Sequence, residues 1–282
     1  MKLHLSGRTR LRQTLVLIAL VLFGLLMLMP FIWMIIVTFD GTANVNVPLP
    51  PRFTVDEPSL FNIKVLTQTG LLFQAYKNSL LIAFGAVIVD LVTVLLGGYA
   101  LSKGRFRGRG VVIAVIMSTM MIPFETRLIP LFMMFSKLNL LNRYISLIAP
   151  AALDAFGLLM AKQYFDNLPD SLRESAFIDG AKEWTIFTRI YLPLCGPITA
   201  TLAILAFMNS WNSFLWPLVV ISKPEMQTVP LFVSAYAMES GKRFIGTTMA
   251  VAFLAVIPVV IVFLLLQKYV IQSVATSGLK GE

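Results

Sequence analysis

The chain has 282 residues, 57% of them apolar and 13% charged, with a formal net charge of +9. A soluble protein carries about twice that charged fraction, so composition points to a membrane protein and overrides any count of soluble domains. One cysteine, Cys195, excludes an internal disulfide and a multi-cysteine metal site, and one histidine, His4, leaves histidine catalysis and metal ligation without material.

An all-α membrane protein is predicted, a single transmembrane domain over residues 1–282 with six spans at 14–37, 79–101, 110–132, 144–164, 198–220 and 247–269. Each is near the ~20 residues needed to cross the hydrocarbon core. The first apolar run, Leu15–Val37, is too long for a signal-peptide core and lacks an A-x-A-like exit, so it reads as a retained helix. Thr38–Tyr76 is the longest outer loop. Its Pro48, Pro50, Pro51 and Pro58 favour extended chain, and it is expected to cap the outer mouth. Prolines at Pro123, Pro130, Pro217 and Pro258 predict local kinks.

The basic residues collect in alternate loops. They are Lys2, Arg8, Arg10 and Arg12 in the N-terminal tail; Lys103, Arg105, Arg107 and Arg109 after span two; and Lys162, Arg173, Lys182 and Arg189 after span four. Basic loops stay inside, so both termini are expected to be cytoplasmic, with 270–282 as a cytoplasmic tail. The same placement removes the reason to expect a nucleic-acid partner; membrane lipid accounts for it.

Charged groups inside spans are costly and face protein or water. Asp90 in span two, Glu125 and Arg127 in span three, and Asp154 in span four are candidates for a solute path or for structural pairs inside the bundle. Two residues apart, Glu125 and Arg127 should not pair with each other on a helix.

Residues 163–197 form the one cytoplasmic insertion large enough to fold locally, with 166–193 as its helical element. Pro169 and Asp170-Ser171 mark a helix start, with Asp or Ser as cap, and the helix should run Ser171–Ile178. Asp179-Gly180 is a turn. A second helix, Lys182–Tyr191, should stop before Leu192-Pro193 and present Trp184, Phe187 and Ile190 on one apolar face. In span five, Asn209, Asn212 and Trp216 fall at i, i+3 and i+7, on one helical face. Amides and an indole suit the hydroxyl edges and C–H faces of a sugar, and they equally suit interhelical hydrogen bonds. Trp211 points elsewhere, toward lipid or a neighbouring helix.

No G-x-x-x-x-G-K-[ST] occurs. At Gly241-Lys242, Tyr236 stands where the first glycine belongs and Arg243 where Ser or Thr belongs. Energy for any transport must come from a partner or from an ion gradient. An ion-coupled secondary transporter remains a rival, although no inverted repeat with broken helices is evident. An intramembrane enzyme has no nucleophile–base pair to work with.

Glu174-Ser175-Ala176, Asp179-Gly180-Ala181 and Ile190-Tyr191-Leu192-Pro193 resemble the EAA motif of ABC importer permeases, with Ser175 in place of the usual alanine. Asn78-Ser79, Tyr99-Ala100-Leu101-Ser102, Ile122-Pro123, Ile129-Pro130, Gln163–Phe165, the run Trp211–Pro217 and the tail Gly278–Gly281 extend the resemblance over roughly Lys77–Gly281. They resemble the second permease subunit of maltose-type carbohydrate importers. The resemblance implies the type I importer permease fold and a bacterial cytoplasmic (inner) membrane location. It also implies alternating access for a sugar or oligosaccharide. Partners would be a second permease subunit, two ATP-binding cassette subunits and an extracytoplasmic solute-binding protein. ATP and Mg would sit on the ATP-binding subunits, with no cofactor in this chain. Glu174, Ser175, Ala176, Asp179, Gly180 and Ala181 would couple to the ATPase. Arg127 keeps open an acidic saccharide or phosphorylated polyol as the solute.

Overall fold

The computed structural model of the protein describes residues 7–46, 50–68, 70–240 and 244–278. Lys2, His4, Pro48, Gly241, Lys242, Arg243 and the end of the tail from Leu279 lie outside the described residues, as do the side chains of Arg8 and Arg10. The described residues form helices and no strand, apart from one isolated antiparallel pair, Asp40–Pro58. The chain divides into two units, 1–69 with 233–256 and 70–232 with 257–282.

In the first unit, helix α1 (Gly7–Thr38) is a continuous apolar helix whose run Arg12–Thr38 is almost wholly exposed. A backbone in lipid must satisfy its own hydrogen bonds, and such a helix does so along its exposed length; only its end packs, where Val37 and Thr38 are buried. After it the chain is tied by polar groups. The Asp40 carboxylate accepts from the Thr42 N–H (2.9 Å), the Thr42 hydroxyl (2.8 Å) and the Asp56 N–H (3.2 Å). The loop predicted at Thr38–Tyr76 is not extended throughout, because helix α2 (Phe61–Gln68) forms within it. Asn62 on α2 is fully buried. Its amide donates to the carbonyls of Thr38 (3.0 Å) and Asp40 (2.8 Å), and its oxygen accepts from the Asn44 amide (2.7 Å). Asn44 in turn accepts the Gly246 N–H at 2.8 Å.

The second unit is built on α3 (Leu71–Lys103), which starts at Leu71 instead of 79. Lys77 and Asn78 look like a membrane boundary in sequence but do not interrupt the helix. Asn78 is buried, donates to the carbonyls of Glu225 (2.8 Å) and Gln227 (2.9 Å), and accepts from the Tyr144 hydroxyl (2.8 Å). Two of the predicted spans are bent, and the fifth, 198–220, is interrupted between Trp211 and Leu215. The third is α4 (Arg109–Met120) and α5 (Phe124–Lys137), bent by 102° at Pro123, whose ring cannot continue the preceding helix. The fourth is α6 (Tyr144–Ile148), a 3₁₀ turn (Ala149–Leu153) and α7 (Ala155–Asp166), bent by 43° at Asp154.

Next come α8 (Ser171–Ile178) and α9 (Glu183–Ile186), then a π turn (Phe187–Tyr191) and α10 (Leu192–Leu194). An 82° bend leads into α11 (Gly196–Trp211), followed by α12 (Leu215–Val220), α13 (Val229–Ser240) and α14 (Ile245–Gly278). Pro130 and Pro258 lie inside continuous helices, and Pro217 sits in the first turn of α12, where proline is tolerated. Among the described residues, three helices are long and apolar enough to cross a membrane, and up to six segments are if each bent pair is one span.

Within this unit α3 packs chiefly on α7 and α11. Gly98 permits the approach to α7: a Cβ there would lie 2.7 Å from Ala161 Cβ and 2.8 Å from the Lys162 nitrogen.

Candidate functional site

The helix–turn–helix of 171–191 is braced to the end of α3. Helix α8 has the predicted bounds, but Asp170 does not cap it. Its carboxylate instead accepts from Lys103 Nζ at 2.6 Å. Lys103, counted in sequence as a loop charge, is only 7% exposed. Its ammonium also donates to the Leu168 carbonyl (2.7 Å) and stands 5.6 Å from the centre of the Tyr191 ring. A buried ammonium needs such partners. Hydrogen bonding and charge from Lys103 hold the Asp170 carboxyl below its ordinary value.

Arg173 on α8 forks onto Glu183 at the start of α9, with Nε to Oε1 and Nη2 to Oε2 both at 3.1 Å. The hydrogen bond to Glu183 raises the Arg173 guanidinium above its already high value. The Tyr99 hydroxyl of α3 donates to the same Glu183 Oε1 at 2.7 Å. A bidentate pair sharing a third donor fixes the angle between the two short helices and anchors both to α3. Behind it the rings of Phe165, Phe187 and Tyr191 surround Tyr99 at 5.1–5.5 Å. Ala176 is buried against this cluster and Ala181 is half-buried.

The turn closes as the sequence predicts. Gly180 has φ +75°, its N–H donates to the Phe177 carbonyl (3.0 Å), and the Ala181 N–H donates to the Ala176 carbonyl (2.9 Å). This pairing is a Schellman motif with glycine in the left-handed position. Glu174, Ser175, Asp179 and Gly180 are exposed, Ile178 is 86% exposed, and the Glu174 side chain has no polar partner among the described residues. Two expectations fail here. The second helix runs on to Leu194 through the π turn, a wider turn that accommodates Pro193 without breaking the helix. The three apolar residues do not form one packed face: Phe187 is buried and Ile190 half-buried, but Trp184 is 65% exposed.

A second feature lies deeper in the same unit. A cavity of about 490 Å³ opens between α3, the 149–153 turn, α11 and α12. Asp90, Asp154, Asn209, Ser210, Ser213 and Trp216 all line it. Asp90 is 2% exposed, and its Oδ2 has no hydrogen-bond partner among the described residues; neither has Oγ1 of buried Thr228, also on the cavity wall. Trp216 donates from Nε1 to the Ser146 carbonyl (2.7 Å) and meets the rings of Phe124 and Phe135 edge to face at 6.4 and 5.5 Å.

Asn209, Asn212 and Trp216 therefore do not share a helical face. Helix α11 ends at Trp211, Asn212 is its exposed C-cap and does not line the cavity, and Trp216 arrives on α12. Pro217 supplies the reason, because a continuous helix would drive its ring into the Ser213 carbonyl. Glu125 and Arg127 sit exposed on the first turn of α5, outside the cavity, and make no ion pair among the described residues; Phe124 beside them lines the wall. Trp211 is buried, stacked on Phe207 at 5.7 Å and tilted against Tyr76 of α3 at 6.1 Å.

Sequence reading missed the brace of Tyr99, Lys103, Arg173 and Glu183. Its one local signal is that Tyr99 and Lys103 stand four apart, on one face of α3.

Residues 91–276 match the family described as "Binding-protein-dependent transport system inner membrane component". The chain is 36% identical over 219 residues to the arabinooligosaccharides transport system permease protein AraQ of Halalkalibacterium halodurans, covering 78% of each chain. It is 32% identical to the trehalose/maltose transport system permease protein MalG of Thermococcus litoralis, over 96% of this chain and 98% of that one. Its fold matches a chain from the crystal structure of a bacterial ABC transporter involved in the import of the acidic polysaccharide alginate. The TM-score is 0.82 and the identity 26%, over 94% of this chain and 98% of the other.

Proposed function

Because the chain belongs to the family of binding-protein-dependent transport system inner membrane components, we propose that it is one of two non-identical permease subunits of an ATP-driven importer for a sugar or oligosaccharide. Family members are transport subunits, and this chain would move solute without catalysing chemistry. ATP with Mg would be bound and hydrolysed on two separate cassette subunits, and a binding protein outside would deliver the solute. Both termini would lie on the cytoplasmic side, in keeping with the basic loops.

One observation carries the reading: the helix–turn–helix is braced on one side by Tyr99, Arg173 and Glu183 and on the other presents an exposed tip of Glu174, Ile178 and Gly180, where the Glu174 side chain has no polar partner among the described residues. Motor closure would pull on this tip. The brace would pass the displacement to α3 at Tyr99 and Lys103, and α3 also carries Asp90, nine residues or about 14 Å along its axis from Tyr99. Alternating access then follows from moving one helix that holds both the brace and a cavity wall.

The test is site-specific crosslinking. A cysteine at Ile178 in a Cys195→Ser background should capture an ATP-binding subunit, with a yield that changes when ATP is added. Absence of that product, or solute movement by the chain alone without ATP, would overturn the reading. A second reading, an importer of an acidic saccharide, is favoured by the alginate importer among its structural relatives.

A further inference from the structure

The geometry points to the cavity beside Asp90 as a subsite for an uncharged polyhydroxylated solute, one that turns anionic sugars away. This rests on the importer reading and adds the solute class.

Of the buried side-chain polar atoms without a partner among the described residues, two, Asp90 Oδ2 and Thr228 Oγ1, lie on the wall of this one cavity. A buried polar atom without a partner is rare in a folded protein and marks a place where a ligand or ordered water completes the bonding. The remaining polar wall is Asp154, Asn209, Ser210 and Ser213. Carboxylates are the strongest acceptors a protein offers to a hydroxyl, and a hydroxyl on Thr228 or an amide on Asn209 returns a donor. Phe124, Leu147 and Pro217 supply apolar wall for the C–H faces of a ring. The volume lies within the range of small-molecule sites.

The charge pattern selects among solutes. Two acidic side chains line the cavity, and among the described residues no lysine, arginine or histidine does. A uronate or phosphate entering it would face two acidic side chains and find no cation to answer its charge. Arg127, the residue that kept an acidic solute open in the sequence, stands exposed on α5 away from this wall.

The experiment uses the assembled transporter, with its partner permease and ATPase subunits, in lipid nanodiscs without binding protein. Equilibrium binding of radiolabelled maltotriose and arabinotriose is compared with that of a mannuronate trimer. At least one neutral probe should bind at least tenfold more tightly than the uronate. Asp90→Asn and Asn209→Leu should each weaken that binding at least tenfold; Asn209 is exposed, so its variant decides if Asp90→Asn does not assemble. Equal or tighter binding of the uronate overturns the proposal. So does saturable binding of neither neutral probe at millimolar concentration, or parental affinity in the variants. ATP hydrolysis by the same particles separates the two levels. A complex that hydrolyses ATP in response to binding protein but fails these binding tests loses only the subsite. A chain that recruits no ATPase loses the importer reading itself.

Discussion

Gly180 offers the cleanest perturbation of the element that would dock the motor. Its φ of +75° places it in the left-handed region, and a Cβ added there meets no atom within 4 Å. Any cost of substitution is therefore backbone strain, with no collision inside the chain. That strain is about 1–2 kcal/mol for an ordinary L-residue, toward the upper end for a β-branched one, and small for asparagine, which tolerates this region. At about 1.4 kcal/mol per factor of ten, Gly180→Val should lower the equilibrium constant for closing the turn about thirtyfold, and Gly180→Ala about tenfold. Uptake of solute by proteoliposomes holding the complete transporter should fall in the order Gly, Asn, Ala, Val, with membrane insertion and complex recovery unchanged. Two results would refute the reasoning. Parental uptake by Gly180→Val would mean that the turn is not what the motor grips. Equal loss in Gly180→Asn and Gly180→Val would mean that any side chain blocks the partner's cleft, whatever the backbone prefers.

Other consequences follow from the packing and the brace. Gly98→Ala would set a methyl 2.7 Å from Ala161 Cβ and 2.8 Å from a backbone nitrogen that cannot yield. It should cost about 1–3 kcal/mol by forcing α3 from α7; an unchanged Tm of the detergent-purified complex would contradict that contact. Tyr99→Phe removes the 2.7 Å donor to Glu183 but leaves the Arg173 pair, so about 1 kcal/mol of local stability should go. Coupling should suffer more than folding, seen as ATP hydrolysis that responds less to binding protein, and full coupling in the variant would remove Tyr99 from the brace. Asp170 tests the sign of the Lys103 contact. Lys103 lowers its carboxyl below the ordinary 3.8, so the stabilisation is complete above that pH and is lost as pH falls through the lowered value. Asp170→Asn should thus lower Tm slightly at neutral pH, where the exposed carboxylate is screened by solvent, and make no difference in strong acid. A deficit that persists in acid would show that the side chain acts by packing.

Sequence alone determines what depends on neighbours along the chain. Long apolar runs become helices because lipid leaves the backbone no other partner, as α1 and the core of α3 show. Helix α8 and the turn at Gly180 are equally local: a helix-compatible stretch, then one residue able to take positive φ. Tertiary structure decides what depends on partners far along the chain. Lys103 looks like one more basic loop residue until Leu168 and Asp170 close over it. Glu183 is unremarked until Arg173 and Tyr99 converge on it, and Asn209 and Trp216 come to share a cavity through a helix break, not through a common face. A proline announces that a helix will be disturbed. Only packing determines whether it breaks, as at Pro123, or carries on, as at Pro130 and Pro258, because the cost of a lost hydrogen bond is weighed against contacts that periodicity does not contain.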